Sequence, residues 1–312
     1  PTVVLATVWM APIESSVTLN ALPGQLVVFE NSELRRLFAT IFSLALGGTL
    51  LYGWTIATRA EQTWTVFYAS AAFGIVYAGD LFSLFISWEL LAIGALGVIW
   101  SHKTSTSATA GLRYFLVHVF GGVLFMIGFA SHLAVSGGDI SLTPFDMSQW
   151  FHWVMLLGIA INAAVPPFWS WVSDAYPAAS PNGTVVLACF TTKSAVLVLI
   201  QLFPGTNALI PAGLMMIVYG AVYAALENNI RRSLAYSLIG QVGFMVVCVG
   251  IGTELALLAA AVHAFSHIVY KTLLLMTAGC LVQTTGKDKF TDLNGMARQM
   301  PDIALCAVIG GL

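Results

Sequence analysis

Charge is scarce in this sequence, since Asp, Glu, Lys and Arg together make up only 8% of its 312 residues. The net charge is −2 and like charges form no run, so neither a nucleic acid nor an acidic partner is indicated. The sequence also lacks phosphate-binding loops, dinucleotide-binding glycine motifs, nucleophile elbows and metal-ligand spacings, which predicts no cofactor, no metal and no bond chemistry. Without CxxC or Cys/His spacing, we interpret the four scattered cysteines as small core residues: Cys189, Cys248, Cys280 and Cys306.

Apolar residues make up 58% of the chain and collect in runs of about 18 residues or more, each long enough to cross a bilayer. Short alternating stretches typical of strands are not evident, so backbone polar groups must be satisfied within helices. We therefore predict an all-α, polytopic transmembrane helix bundle that forms one transmembrane domain over residues 1–312. Nine full spans are expected at about 36–58, 64–80, 81–101, 112–135, 149–166, 183–203, 208–226, 233–251 and 255–283.

Shorter apolar pieces flank these spans at 1–13 and 301–312. The chain begins at Pro1 without an initiator methionine and stops at Leu312 inside a short apolar stretch, so we expect sequence to be missing from both ends. The second and third spans are separated only around Gly79-Asp80, which predicts a tight turn there.

Lysine and arginine in the short loops predict the orientation, because cytoplasmic loops carry an excess of them. Eight of these basic residues fall on one side of the membrane, whereas the opposite side has only Arg35 and Arg36. We therefore predict that the loops near 103–111, 167–182, 227–232 and 285–299 are cytoplasmic and that those near 137–148, 204–207 and 252–254 face outward. The basic residues assigned to the cytoplasmic side are Arg59, Lys103, Arg113, Arg231, Arg232, Lys287, Lys289 and Arg298.

Two ionisable residues stand deep inside apolar spans, where a charge costs about 3 kcal/mol at the bilayer centre. Glu89 lies in FSLFISWELLAIGALGVIW, and Lys193 lies in VVLACFTTKSAVLVLI too far from either end to snorkel to the interface. A buried carboxylate must pair with a cation or take up a proton. Both residues therefore indicate a path for ions or protons.

Three more ionisable residues, His263, His267 and Lys271, follow at intervals of four in AAAVHAFSHIVYKTLLLM. This spacing places them on one stripe of a helix. A single histidine in such a helix is more often a hydrogen-bonding partner of its neighbour. Three groups together favour a chain of proton carriers, because imidazole exchanges protons near neutral pH.

Other polar residues are weaker candidates. The segment VPPFWSWVSDAYPAASPNGT should break any helix between the fifth and sixth spans, and we interpret its Asp174 and Tyr176 as interfacial structure or a helix cap. His118, in YFLVHVFGG, is either a satisfied core histidine or part of the path. Ordered water or helix packing explains three others equally well: Tyr236, Ser237 and Gln241.

Five motifs occur in a fixed order: SWELL, PPFWSWVSDAYPAASPNG leading to FTTKSAVLVLI, ENNIRRSLAYSLIGQVGFM, HAFSHIVYKTLLLMTAG and DLNGMARQMP. Over residues about 30–312 the chain resembles the antiporter-like subunits of Mrp-type Na⁺/H⁺ antiporters, complex I and membrane-bound hydrogenases, and within that group the D subunit of Mrp complexes. The resemblance implies an antiporter-like fold with inverted repeats and broken helices around a polar axis. It also implies that Glu89 is a switch where protons come in, that Lys193 is central, and that the His/His/Lys stripe continues the path.

The sequence departs from the family pattern at Asn162, where the family has a lysine on the helix before the proline-rich segment. An amide can hydrogen-bond to Glu89 but supplies no titratable positive charge. The family's first helices are also absent, as are the C-terminal helices that carry an exit-side charged residue. We therefore expect a fragment of a longer subunit or a split relative.

The leading hypothesis is a proton- and cation-translocating subunit of an Mrp-type Na⁺(K⁺)/H⁺ antiporter without a redox site of its own. Its expected partners are other membrane subunits, the lipid bilayer, H⁺ and Na⁺ or K⁺, in a bacterial or archaeal cytoplasmic membrane. One alternative is a proton-pumping subunit of an NADH dehydrogenase or hydrogenase complex whose cofactors lie in other subunits. A second alternative, suggested by Asn162, is a scaffold subunit that has lost pumping.

Overall fold

The computed structural model describes residues 2–21 and 24–311, and helices dominate them, which confirms the all-α prediction. One short hairpin and a single 3₁₀ turn at Phe290–Asp292 accompany the helices. The elements are α1 (Thr2–Met10), β1 (Ser16–Ala21), β2 (Gly24–Glu30), α2 (Glu33–Tyr52), α3 (Arg59–Tyr77), α4 (Leu81–Trp100), α5 (Ser105–Ser136), α6 (Trp150–Asn162), α7 (Ser170–Ala178), α8 (Pro181–Cys189), α9 (Thr191–Leu202), α10 (Leu209–Leu226), α11 (Ile230–Ile251), α12 (Glu254–Thr285), α13 (Met296–Gln299) and α14 (Pro301–Gly311).

Every predicted span corresponds to a helix, and the flanking apolar pieces become α1 and α14. Seven helical segments are long and apolar enough to cross a membrane: α2, α4, α5, α8 with α9, α10, α11 and α12. The spans predicted at 64–80 and 149–166 are α3 and α6, and α6 has only 13 residues before its helix ends. The described part of the chain is therefore a multi-pass helix bundle.

The hairpin of β1 and β2 corrects the expectation that strands are lacking, because these short antiparallel strands pair around Thr18 and Val27. The hairpin lies against the turn between α3 and α4. Val27 N donates to Asp80 Oδ2 over 2.6 Å, while Asp80 Oδ1 accepts from Ser83 N over 2.7 Å and so caps α4. The tight turn predicted at Gly79-Asp80 is present, and this cap explains why α4 begins there.

Hydrogen bonds between loops divide the helix ends into two groups. At one end, Leu81 N donates to Ile140 O and Phe145 N donates to Leu202 O, over 2.8 and 2.9 Å. These residues belong to or adjoin loops that we predicted to face outward. The bonds bring those loops together, as the count of basic residues requires.

At the opposite end, Arg231 Nη1 donates to Ala179 O over 2.9 Å and Ile230 N donates to Asp288 O over 2.9 Å. His102 Nδ1 donates to Ala178 O over 3.0 Å. These loops are those predicted to be cytoplasmic, so we call this the basic end of the bundle.

Two helices are broken. One break separates α6 from α7 and contains Ala164 at a φ of 57° and a cis peptide bond between Pro166 and Pro167. The expectation that the prolines exclude any helix here is wrong for residues 170–178, since α7 begins after Pro167 and has Pro177 only in its last turn. Pro181 then occupies the first turn of α8, where its missing N–H costs no helical bond.

The second break lies at Phe190, between α8 and α9, and this helix pair is the most enclosed part of the molecule. Of its most apolar 18 residues, 94% are buried, whereas the same measure for α10 is 22%. Helices α2, α3, α4, α6, α7, α11 and α12 pack around the pair. Side chains at the Phe190 break are therefore shielded from lipid by other helices.

Candidate functional site

The centre of the site is Lys193, in the first turn of α9 directly after the break at Phe190. Its side chain is completely buried. Nζ donates to Ala188 O over 2.9 Å, across the break, and to Thr192 Oγ1 over 3.1 Å. Among residues 2–21 and 24–311 no carboxylate forms an ion pair with this lysine. The break thus supplies a carbonyl to a buried amine that has only neutral partners.

Two tyrosines from separate helices meet the residue that opens α9. Tyr68 Oη of α3 and Tyr114 Oη of α5 lie 2.5 and 3.2 Å from Thr191 Oγ1, and Thr191 N donates to Tyr68 Oη over 3.0 Å. All three residues are buried. We call Tyr68, Tyr114, Thr191 and Lys193 the central cluster. Its hydroxyls can both donate and accept, so they can pass a proton on without holding a charge.

His118 extends the central cluster along α5. Its Nδ1 donates to Tyr114 O over 2.8 Å, and its ring stacks on Tyr114 with centroids 3.8 Å apart. Because a carbonyl can only accept, Nδ1 carries the hydrogen and Nε2 is the basic nitrogen. Nε2 is buried and has no hydrogen-bond partner among the described residues. His118 is therefore a buried histidine next to the cluster whose Nε2 is not satisfied by any described residue.

Glu89 of α4 is half-buried and lies against α5 at Gly122, where any Cβ would overlap its carboxylate. Gly122 is one helical turn from His118, which is one turn from Tyr114, so all three lie on one face of α5. Glu89 Oε1 is buried without a hydrogen-bond partner in the described part of the chain. This face of α5 therefore leads from the carboxylate to the central cluster.

Asn162, the last residue of α6, is buried, and its Oδ1 has no partner within the described residues. The hydrogen bond to Glu89 that an amide could form is not among those of the described residues. Its neighbour Ile161 accepts a bond from Trp171 Nε1 over 3.0 Å, and Trp171 packs edge-on against His118. Trp171 thus contacts both the end of α6 and His118.

The residues His263, His267 and Lys271 form the predicted stripe on α12, here called the histidine stripe, and it faces α11. His263 Nε2 donates to Gln241 Oε1 over 3.0 Å, and Lys271 Nζ donates to Ser237 Oγ over 2.9 Å. The two imidazole planes are parallel within 5°, with centroids 6.0 Å apart. His267 is fully buried, and neither ring nitrogen has a partner among the described residues.

The histidine stripe adjoins the central cluster because α12 packs against both α8 and α9. Thr272, next to Lys271, places its hydroxyl 3.4 Å from Cys189 Sγ, and Cys189 is the last residue of α8 before the break. Cys189 is buried, as expected of a small core residue. The helix that carries the histidine stripe therefore contacts the helix break beside Lys193.

The structure does not bring all weaker candidates to this region. Asp174 of α7 forms a two-bond ion pair with Arg113, each bond 2.7 Å long, and both side chains are partly exposed. Tyr236 packs among aromatic rings of α10, including Tyr219 and Tyr223. Tyr176 is buried with its hydroxyl unpartnered within the described residues. Of these three residues, Tyr176 alone is buried, and the interpretation of Asp174 as interfacial structure stays a prediction.

One buried carboxylate could not be recognised from the sequence. Glu61 is 3% exposed although it stands in the first turn of α3, two residues after Arg59. At a span end, an acidic residue near a basic one is typical of a solvated helix start. No local pattern distinguishes it, because its partners Ser180 and Asn182 lie far away in the sequence.

Residues 78–312 match the family model described as NADH:quinone oxidoreductase/Mrp antiporter, TM. The chain belongs to this family. The match confirms the resemblance drawn from the five motifs, and it includes Glu89, Lys193 and the histidine stripe.

Two curated relatives match most of this chain. The D subunit of the Na(+)/H(+) antiporter of Alkalihalophilus pseudofirmus is 27% identical over 250 residues, which is 74% of this chain and 50% of the relative. The N subunit of the NADH-quinone oxidoreductase of Desulforudis audaxviator is 26% identical over 317 residues, covering 94% of this chain and 61% of the relative. The chain thus spans about half of the length of such relatives.

A solved structure, the membrane-bound sulfane sulfur reductase described as an archaeal respiratory membrane complex, contains a chain of the same fold. It superposes with a TM-score of 0.87 over 99% of this chain and 68% of that chain, at 24% identity. At this identity the likeness shows the fold alone.

Proposed function

We propose that this chain is the proton-translocating part of a Mrp-type cation/proton antiporter, working beside other membrane subunits and exchanging H⁺ for Na⁺ or K⁺. The observation that carries the proposal is the fully buried Lys193 at a helix break, with no carboxylate paired to it among the described residues. Burial of an unpaired amine for packing alone would cost a large desolvation free energy. A group that gains and loses a proton during turnover explains its position.

Protons reach Lys193 from Glu89 along α5 in this proposal. Glu89 faces Gly122, and His118 lies one turn away with a free basic nitrogen. Tyr114 and Thr191 complete the distance through their hydroxyls. His118 takes the place of the positive group missing at Asn162, since it can hold a proton between the carboxylate and the amine.

Protons leave Lys193 toward the histidine stripe. α9 packs against α12, and the His267 ring has two nitrogens that make no protein hydrogen bond within the described residues. Gln241 and Ser237 orient the outer members of the stripe. A histidine with both nitrogens open can accept a proton on one side and release it on the other.

The second candidate is a proton-pumping subunit of a redox complex, with the redox chemistry in other chains. The likeness to the N subunit of NADH-quinone oxidoreductase extends over 94% of this chain, more than the 74% for the D subunit of the antiporter. Purification of the native complex separates the two proposals. Co-purifying flavin or iron–sulfur subunits support the redox complex, and small membrane subunits alone support the antiporter.

Lys193→Ala, expressed in the intact complex, tests the pumping role itself. We expect cation-induced pH change in vesicles to fall by about a hundred-fold or more, since a proton carrier is removed. Lys287→Ala is the matched control, because Lys287 is an exposed loop lysine and its loss should leave transport unchanged. Wild-type transport by an assembled Lys193→Ala complex would contradict both pumping proposals and favour the scaffold.

Asn162→Lys is a second test of the scaffold hypothesis against the pumping proposals. A scaffold has no path to restore, so the variant should leave the transport rate of the complex unchanged. In a pumping subunit, a lysine at the buried end of α6 adds a second positive group to the path and should change the transport rate. The measurement is the same vesicle assay, with complex assembly checked in detergent.

A further inference from the structure

Glu61 is a buried carboxylate that the path described above does not use. Its Oε1 accepts a hydrogen bond from Ser180 Oγ over 2.5 Å and another from Asn182 Nδ2 over 3.1 Å. Within residues 2–21 and 24–311, no Lys, Arg or His forms an ion pair with it, and no hydrogen bond reaches Oε2. The two bonds satisfy one carboxylate oxygen, as a buried polar group requires.

Polar atoms near Glu61 make its surroundings polar rather than hydrocarbon. Tyr52 Oη, Asn182 Oδ1 and Arg231 Nε are all buried and have no protein partner among the described residues. The three come from α2, α8 and α11, and Arg231 also donates to Ala179 O next to Ser180. Buried polar groups are nearly always hydrogen-bonded, so these three groups can still donate to or accept from a proton carrier near Glu61.

A buried polar face of α3 joins Glu61 to the central cluster. Glu61, Thr65 and Tyr68 are four and three residues apart, so they share one face of the helix, and each is at most 3% exposed. Seven residues of helix rise about 10 Å. Tyr68 Oη then meets Thr191 Oγ1, two residues before Lys193. The face therefore runs from the basic end of the bundle to the buried amine.

We propose that Glu61 is the proton acceptor at the basic, cytoplasmic end and that it supplies Lys193 along this face of α3. One proton binds the carboxylate to give the neutral acid and then passes on through water and the hydroxyls of Thr65 and Tyr68. The carboxylate returns as the same proton leaves, and no electron or covalent intermediate is involved. This inference rests on the proposed function, because it needs Lys193 to be a proton carrier.

A purely structural role for Glu61 makes a different prediction. Negative charge near a helix N-terminus stabilises the helix. The Glu61 carboxylate of α3 accepts bonds from Ser180 and Asn182 at the N-terminus of α8. Glutamine keeps an oxygen that accepts both hydrogen bonds, so Glu61→Gln should preserve the contact to α8. Proton transfer, in contrast, ends when the titratable group is removed.

The experiment measures cation-driven pH change in everted vesicles that contain the intact complex. We expect Glu61→Gln to lower the rate about ten-fold or more while the amount of assembled complex stays the same. Ser180→Ala is the structural control: it removes the cap of α8 and one bond to Glu61 but leaves the carboxylate, so most transport should remain. Wild-type rates in Glu61→Gln would overturn the inference.

A matched pair covers the case in which the glutamine variant assembles poorly. Glu61→Asp and Glu61→Asn share one shorter side chain and differ only in the titratable group. The inference requires the aspartate variant to be several-fold faster than the asparagine variant, and equal rates would contradict it. Lys193→Ala in the same vesicles separates failure of the proposed function from failure of this inference. If Lys193→Ala transports normally, the proposed function is wrong. If Lys193→Ala loses transport but Glu61→Gln transports normally, only this inference is wrong.

Discussion

The candidate path residues, here called the polar row, are Glu89, His118, Lys193 and the histidine stripe. They are arranged differently on the two sides of Lys193. On the α4 to α9 side, Glu89, His118 and Lys193 come from three helices, and the neutral hydroxyls of Tyr114 and Thr191 lie between His118 and Lys193. On α12, three ionisable groups stand on one continuous helix. In the first arrangement, α4, α5 and α9 each contribute one member of the row to the proposed route from Glu89. The second has two parallel imidazoles in succession, so a neighbour can replace a lost member.

The largest difference between the two sides is expected for histidine removal. His118→Phe keeps a ring of similar size stacked on Tyr114 but removes the proton acceptor, and we expect transport to fall about ten-fold or more. His263→Phe removes one of two histidines on the stripe, and we expect a loss of only a few-fold. Both rates come from the vesicle assay. Equal losses, or a larger loss for His263, would break the comparison.

A smaller effect is expected where Glu89 meets α5. In Gly122→Ala the added Cβ overlaps the Glu89 carboxylate, so the carboxylate must move away from the His118 face. We expect a several-fold loss of transport and a loss of about 1–3 kcal/mol in stability, as for overpacking elsewhere. Gly48→Ala is the control, since its Cβ would lie at an ordinary 3.7 Å from Met276. Thermal unfolding in detergent and the vesicle assay measure the two effects, and indifference of both would show that the contact is loose.

The sequence predicted the residues of the row better than the links between them. Lys193, Glu89 and the histidine stripe stand out locally, because a charge within an apolar run is rare and a four-residue interval defines one helical face. Gln241 and Ser237 could be named only as candidates, since their contacts to α12 depend on helix packing.

Residues whose role depends on distant contacts could not be recognised. Tyr68 and Tyr114 look like ordinary aromatic residues of spans until Thr191 lies between them. Glu61 looks like a solvated helix start until α8 covers it. The hairpin at residues 16–30 was missed because its alternation is short, and α7 was missed because the prolines around it belong to its ends.

The smallest effects are expected from removing single hydroxyls, and they bear on the same comparison. Tyr114→Phe deletes a bond to Thr191, and Tyr270→Phe deletes a bond to Gln241, so each should cost about 1 kcal/mol of stability. Their transport should differ, because Tyr114 lies on the single link between His118 and Lys193 whereas Gln241 keeps His263 as a partner. We expect a two- to three-fold loss of transport for Tyr114→Phe and none for Tyr270→Phe, in the vesicle assay at matched complex content. If both variants transport at the wild-type rate, the Tyr68 hydroxyl alone is enough to carry the proton at Thr191. Tyr68 would then replace Tyr114 on the α4 to α9 side, and the contrast with the histidine stripe would be lost.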